Sequence, residues 1–274
     1  MAQITAAEVN KLRQMTGAGM MDCKKALVEA DGDFDKAQQI IREKGMAVAN
    51  KRSDREASEG VVLAKAEGTN GVIIALNCET DFVAKNEDFV KLAEKILNIA
   101  LEKSPADLES LTNLEIDGLK ISEKIIEQTG VIGEKLDLKY FDKIKADQVA
   151  AYIHSDKKLA TLVGLTKSGI DEQIGKDVAM QVAAMDPVAV SKDQVPQNVI
   201  EKELEIGRNQ ALAEGKPADM LDKIAQGKLG KFFKENTLLS QSFIKDNKIS
   251  VEQYLQQADK SLTVSDFKRY SIKQ

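Results

Sequence analysis

Apolar residues recur at helical spacing over the first fifty positions, give way to strand-like runs, and repeat that change further along the chain. The first segment predicts three short helices. Thr5 and Glu8 form a T-x-x-E capping box ahead of Val9 and Leu12, and Gly17 and Gly19 break the pattern. A second helix, from about Asp22 to Ala30, carries Ala26 and Leu27 as its apolar positions. Asp33 caps a third, on which Phe34, Ala37, Ile40 and Ile41 keep helical spacing until Gly45. So small a bundle has a marginal core. The polar stretch ANKRSDREASEG, residues 49–60, reads as a linker crossed by few contacts.

VVLAKAEGTNGVIIALNC follows and predicts two strands around an Asn70-Gly71 turn. Asn86 caps a helix whose Phe89, Leu92, Ala93, Ile96, Leu97 and Ala100 share one face. A further long helix runs from about 107 to 128 and ends at Gly130. VAAYIHSDKKLATLVGLT (149–166) is a second hairpin, and 171–185 a second helix, stopped at Asp186-Pro187. Two hairpin-then-helix units predict an α+β core of two related subdomains. Residues 190–235 interrupt the second unit with two helices joined at EGKPA, an antiparallel helical hairpin. Pro196 suits the first turn of one, and Leu221, Ala225, Leu229 and Phe232 stripe the other. LSQSFI and TVSDFKRYSI predict strands returning to the sheet. The expected partition is a three-helix domain (1–54), a first core subdomain (55–139), and a second core subdomain in two parts (140–189 and 236–274) around the inserted hairpin (190–235).

Composition narrows the function. The chain has 274 residues, more than one core usually holds, which favours two or more domains. Its net charge is −5 with no long basic block, so a nucleic-acid backbone is not the expected ligand. Two cysteines and one histidine make neither a four-ligand zinc site nor a disulfide framework, and a reducing cytoplasm is the expected setting. MAQITAAEVNKLRQ has no apolar signal-peptide core, and no run is long enough to span a bilayer, so no membrane association is expected.

No enzyme signature emerges. His154 sits in a predicted hairpin without a spaced serine or cysteine partner, which favours a hydrogen-bonded or interface role over that of a catalytic base. Glu87 and Asp88 suit a helix start. TGAG (16–19) lacks both the preceding strand and the GK[ST] ending of a phosphate loop. No cofactor and no metal is expected. Two features resist a bland account. Met20 and Met21 are adjacent, so one helical face cannot hide both, and Lys24-Lys25 beside them suggests an adaptable contact surface. Phe82 stands behind Asp81 at an acidic strand-to-helix turn, NCETDFVAKNEDF (77–89). It is either a hydrophobic staple on the following helix or an exposed aromatic meant for a partner, and pattern alone leaves both open.

LRQMTGAGMMDCKKALVEADGDFDKA and NCETDFVAKNEDF together resemble bacterial translation elongation factor Ts, over essentially the whole chain. The resemblance implies a non-enzymatic guanine-nucleotide exchange factor for the GTPase elongation factor Tu, binding its GDP-bound and nucleotide-free forms. It implies a ubiquitin-associated-like N-terminal domain that docks on the GTPase domain through Arg13, Met20, Met21 and Lys24. Thr80, Asp81, Phe82 and Val83 match the TDFV motif, which enters that domain beside the nucleotide and disturbs Mg2+ binding. Ile132 and Gly133 match a second contact segment, His154 a histidine that touches the far end of the partner, and the inserted hairpin also reaches it. Two such complexes can pair through the core in this family. Ala75 stands where the family usually has Glu, and the RYSIKQ ending gives no ground for transferring contacts of the C-terminal helical module that some members add.

Overall fold

The computed structural model describes residues 4–272. In chain order the elements are α1 (Ala6–Thr16), α2 (Met20–Glu29), α3 (Phe34–Lys51), β1 (Glu59–Glu67), β2 (Asn70–Cys78), α4 (Asp81–Ala84) and α5 (Glu87–Lys103). Then come α6 (Leu108–Thr112), β3 (Glu115–Ile116), β4 (Leu119–Lys120), α7 (Ile121–Ile132), β5 (Asp137–Lys145), β6 (Gln148–Ile153), β7 (Leu159–Leu165) and α8 (Glu172–Met185). The chain closes with α9 (Gln197–Ala213), α10 (Leu221–Asn236), β8 (Ser242–Phe243), β9 (Asp246–Ser250), α11 (Val251–Ala258) and β10 (Val264–Ser271). One sheet has the order β1-β2-β5 and another β10-β7-β6, with two small hairpins, β3-β4 and β8-β9. This is a mixed helix and strand fold with a helical N-terminal region. Among the described residues no helix is long and apolar enough to cross a membrane.

The chain forms two compact units. The first takes the residues up to Leu63 with Ile74–Phe141, and the second takes Ala64–Ile73 with Asp142–Ser271. In the first unit the capping box forms as expected, with the Thr5 amide donating to Glu8 and the Glu8 amide to the Thr5 hydroxyl. Val9, Leu12, Cys23, Ala26, Leu27, Ala37 and Ile41 make the small helical core, and Val131 of α7 packs against it. The third helix does not stop at Gly45 but runs on to Lys51. Gly45 is instead where α3 crosses α7: a Cβ on Gly130 would overlap the Gly45 backbone, so Gly130 must lack a side chain for the helices to approach this closely. The boundary expected between 54 and 55 therefore falls inside this unit.

Local differences have local causes. The first hairpin turns at Gly68-Thr69, with Gly68 at φ +58°, and Asn70-Gly71 already belongs to β2. The helix expected over 107–128 is two helices, because Asp117 and Gly118 take positive φ and turn the chain through β3-β4. Asn86 caps α5 as expected, and all six of its predicted face residues are buried.

In the second unit β6 pairs antiparallel with β7 from Gln148 opposite Leu165 to Ile153 opposite Ala160, and β10 pairs with the other edge of β7. Val163, Leu165, Val178, Val182, Leu238, Phe243, Leu255 and Val264 are core residues here. The face of α8 also buries polar groups. Asp177 accepts from Lys245 (2.7 Å), Gln173 (2.5 Å) and Tyr254 (3.0 Å), while Gln181 accepts the Ile244 amide and donates to Gln241. The inserted helices α9 and α10 close where Gly207 meets Ala225, a Cβ there falling 3.1 Å from the Ala225 Cα. SVEQYLQQ, part of the expected returning segment, forms α11 behind a Ser250–Gln253 capping box.

Gly130→Ala must push α3 and α7 apart, and thermal melts should show a loss of about 1–3 kcal/mol. Gly227 lies in α10 with nothing near its Cβ position. Gly227→Ala should therefore stabilise by about 0.4–1 kcal/mol in the same assay. A neutral Gly130→Ala would mean that this helix crossing is not tight in solution.

Candidate functional site

Strand β2 delivers the chain into the 79–85 turn, where the side chains of Glu79 and Thr80 are engaged by the protein's own residues. Thr80 is extended (φ −123°, ψ 155°) and caps α4 by accepting the Val83 amide. The buried Cys78 thiol donates to the Thr80 carbonyl at 3.2 Å. Burial, and then the charges of Glu134 and Glu59, push that thiol up to about 12, so it stays protonated and unreactive at neutral pH.

Two carboxylates tie the turn to chain far away in sequence. Glu134 accepts both the Thr80 hydroxyl (2.7 Å) and the Thr80 amide (3.0 Å). Glu79 accepts the Lys135 amide (2.6 Å) and both of its oxygens accept from the Arg52 guanidinium (2.7 and 3.0 Å). The Lys135 ammonium donates to the Ser53 carbonyl at 2.7 Å. Burial pushes the Glu79 carboxyl upward, but the Lys135 amide and the Arg52 guanidinium outweigh it and hold the group below the ordinary glutamate value.

On this support Phe82 is 82% exposed, whereas Phe89, seven residues on, is 1% exposed in the core of α5. Phe82 is thus no staple: most of its surface lies in solvent. Beside it Asp81 pairs with Lys85 at 2.6 Å, a solvated i,i+4 pair worth little to stability. Val83 is half-buried.

Of the remaining candidates Arg13, Met20, Met21, Lys24 and His154 are exposed, and Ile132 and Gly133 are half-buried. Met20 and Met21 are 56% and 63% exposed on the first turn of α2, both outside the small core, and Lys24 one turn on is exposed. Arg13 is exposed in the last turn of α1. Ile132 ends α7, and Gly133 caps it at φ +79°, directly before Glu134. His154 follows β6 in the second unit, exposed, its Nδ1 3.0 Å from the Tyr152 hydroxyl. Arg52, Glu134 and Lys135 carry no local pattern, and only the fold brings them to Glu79 and the turn.

A family model described as elongation factor TS matches residues 79–274. The elongation factor Ts of Christiangramia forsetii is 54% identical over 276 residues, covering 99% of this chain and all of that protein. That of Amoebophilus asiaticus is 53% identical over 273 residues, covering 98% and 99% of the two chains. The elongation factor Ts of Bacteroides fragilis is 41% identical over 327 residues, again covering 98% and 99%. The chain belongs to the elongation factor Ts family. Members of this family act in translation elongation, as nucleotide exchange factors for elongation factor Tu. The match to the family model begins at Glu79, on the turn that carries Phe82.

Two outcomes follow for stability. Phe82→Ala should move the melt by no more than about 0.5 kcal/mol, as at other surface sites, while Phe89→Ala should cost about 3–5 kcal/mol. Equal depression of both melts would place Phe82 in the core. The Glu79 pKa lies lower in the folded chain than in the unfolded one, so its contribution is present above the unfolded glutamate value. It is lost as pH falls through the lower folded value. The melting difference between wild type and Glu79→Gln should hold steady at neutral pH and shrink below about pH 4.

Proposed function

We propose that this chain speeds GDP release from elongation factor Tu by inserting the Thr80–Val83 loop beside the nucleotide and its Mg2+. The observation that carries this reading is the exposed Phe82 ring on a turn that Glu134 holds through the amide and hydroxyl of Thr80. An aromatic held in water by an ordered turn is the residue type that supplies binding hot spots. A GTPase grips its nucleotide through phosphate and Mg2+ contacts that also order its switch loops. A factor that binds the loosened form more tightly than the nucleotide-filled form weakens nucleotide binding by the same ratio. Burial of Phe82 available only in the loosened form supplies about 1.5–3 kcal/mol, or one to two decades.

The other contacts hold the factor in both forms. Arg13, Met20, Met21 and Lys24 are the proposed GTPase-domain anchor of the N-terminal three-helix domain, ubiquitin-associated-like in this reading. Unbranched methionines adapt to a surface that changes shape between the two states. Ile132 and Gly133 add a second contact, and His154 with the α9–α10 hairpin reaches elsewhere on the partner. Asp81 adds negative charge near the metal, and no bond of this chain is made or broken.

Release of a fluorescent GDP analogue from elongation factor Tu tests the reading. Wild-type protein should accelerate release. At saturating concentration Phe82→Ala should slow it by about ten- to hundredfold, with half-saturation changed less because the anchor remains. Unchanged release by a folded Phe82→Ala protein removes the wedge from the mechanism.

A further inference from the structure

We propose that Arg52, Glu79 and Glu134 are positioning residues for nucleotide exchange, locking the Phe82 turn to the end of α3 and to residues 133–135; this rests on the wedge reading above. The geometry is reciprocal. The Glu79 side chain grips the backbone of Lys135, and the Glu134 side chain grips the backbone and hydroxyl of Thr80. Each carboxylate thus fixes the segment that carries the other. Arg52, the residue that ends α3, closes the group by donating twice to Glu79. Three stretches remote in sequence are held together around the base of one exposed ring.

The arrangement exceeds what capping α4 requires. The Thr80 hydroxyl already accepts the Val83 amide, and a four-residue helix needs no further support at that end. The extra bonds remove motion of the turn as a body. They also join elements that bear separate candidate contacts: Gly133 directly precedes Glu134, and α3 packs on α2, whose exposed first turn carries Met20 and Met21. A ring on a rigid base delivers its burial free energy to the partner without first losing it to ordering the turn. A ring on a loose base binds through the same anchors and exchanges poorly.

A purely architectural role and a positioning role differ in what they disturb. If the cluster only holds the protein together, its loss lowers the melting temperature, and exchange per folded molecule stays normal. A cluster that aims Phe82 loses maximal exchange rate, keeps its half-saturating concentration, and acts through Phe82. Glu134→Ala and Arg52→Ala remove the bonds, and Arg52→Lys keeps the charge without the paired guanidinium donors.

The test measures fluorescent-GDP release from elongation factor Tu at a series of factor concentrations, at a temperature where each variant is folded by circular dichroism. Glu134→Ala and Arg52→Ala should lower the maximal rate by about tenfold, with half-saturation within about twofold of wild type. Arg52→Lys should recover part of the rate. Adding Phe82→Ala to Glu134→Ala should cost far less than Phe82→Ala alone costs the wild type, because a misplaced wedge has little left to lose. Full additivity, a maximal rate equal to wild type, or a loss confined to half-saturation overturns the positioning role. Where Glu134→Ala does not fold, Arg52→Lys and Glu134→Gln carry the same comparison. Phe82→Ala run beside them separates the two failures: if it is also normal the wedge reading falls, and if it alone is impaired only the positioning role falls.

Discussion

Two crossed carboxylates set the terms for the rest of the first unit. Glu79 and Glu134 are drawn out of water, which is unfavourable for a charged group unless donors replace the lost solvent. The donors here are backbone amides, a hydroxyl and a guanidinium, and charge-assisted bonds of this kind are about twice as strong as neutral ones. Satisfied in this way, the carboxylates contribute direction as well as stability. An apolar cluster of the same size would hold the turn near the sheet without fixing its orientation, because apolar contact is non-directional. A surface phenyl ring gains nothing from its own fold, so its placement has to come from polar geometry beneath it.

The second unit uses the same physics for a different end. Asp177 and Gln181 lie four residues apart on α8 and reach Lys245, Tyr254, Gln241 and the Ile244 amide, a segment that returns only after the inserted helices. Burial pushes the Asp177 carboxyl upward, yet its donors hold it below the usual aspartate value, so it remains charged in the interior. The insertion between α8 and β8 can therefore be long, because fixed polar partners and not chain proximity tell the returning strand where to dock.

Much of the architecture was legible because local chemistry and burial agree along the chain. The Thr5–Glu8 box, the Asp33 and Asn86 caps and the stripe on α5 are short-range signals, and each sits where it was expected. The misses share a cause. Gly45 looks like a helix stop, but α3 runs through it and Gly130 of α7 packs against its backbone, and no signal within α3 reports a helix that arrives about 85 residues later. Asp117-Gly118 was a visible turn dipeptide masked by helical spacing on both sides. At the site the chain announced Phe82 by its oddity and kept most of its support hidden, since Glu79 alone lies in the same stretch and Arg52, Glu134 and Lys135 look individually like ordinary solvated charges. Their meaning is tertiary.

That separation between a conspicuous ring and an inconspicuous base fits the energetics of exchange. Anchoring contacts that bind both partner states equally raise affinity and change no ratio between those states. Only differential contacts do so, and one ring offers at most a decade or two. With so small a differential term, losses to disorder matter: immobilising a side chain on binding costs about 0.5–1.5 kcal/mol, comparable to what the ring gains. A loose Phe82 would surrender about a third to a half of its advantage before touching anything. Ordering the turn beforehand, with bonds formed in the free protein, moves that cost from the encounter to folding, where it is offset by the packing of α3, α7 and β2. In the proposed mechanism the ring then acts as a difference between two states of the partner, and its own chain need not change shape to make that difference felt.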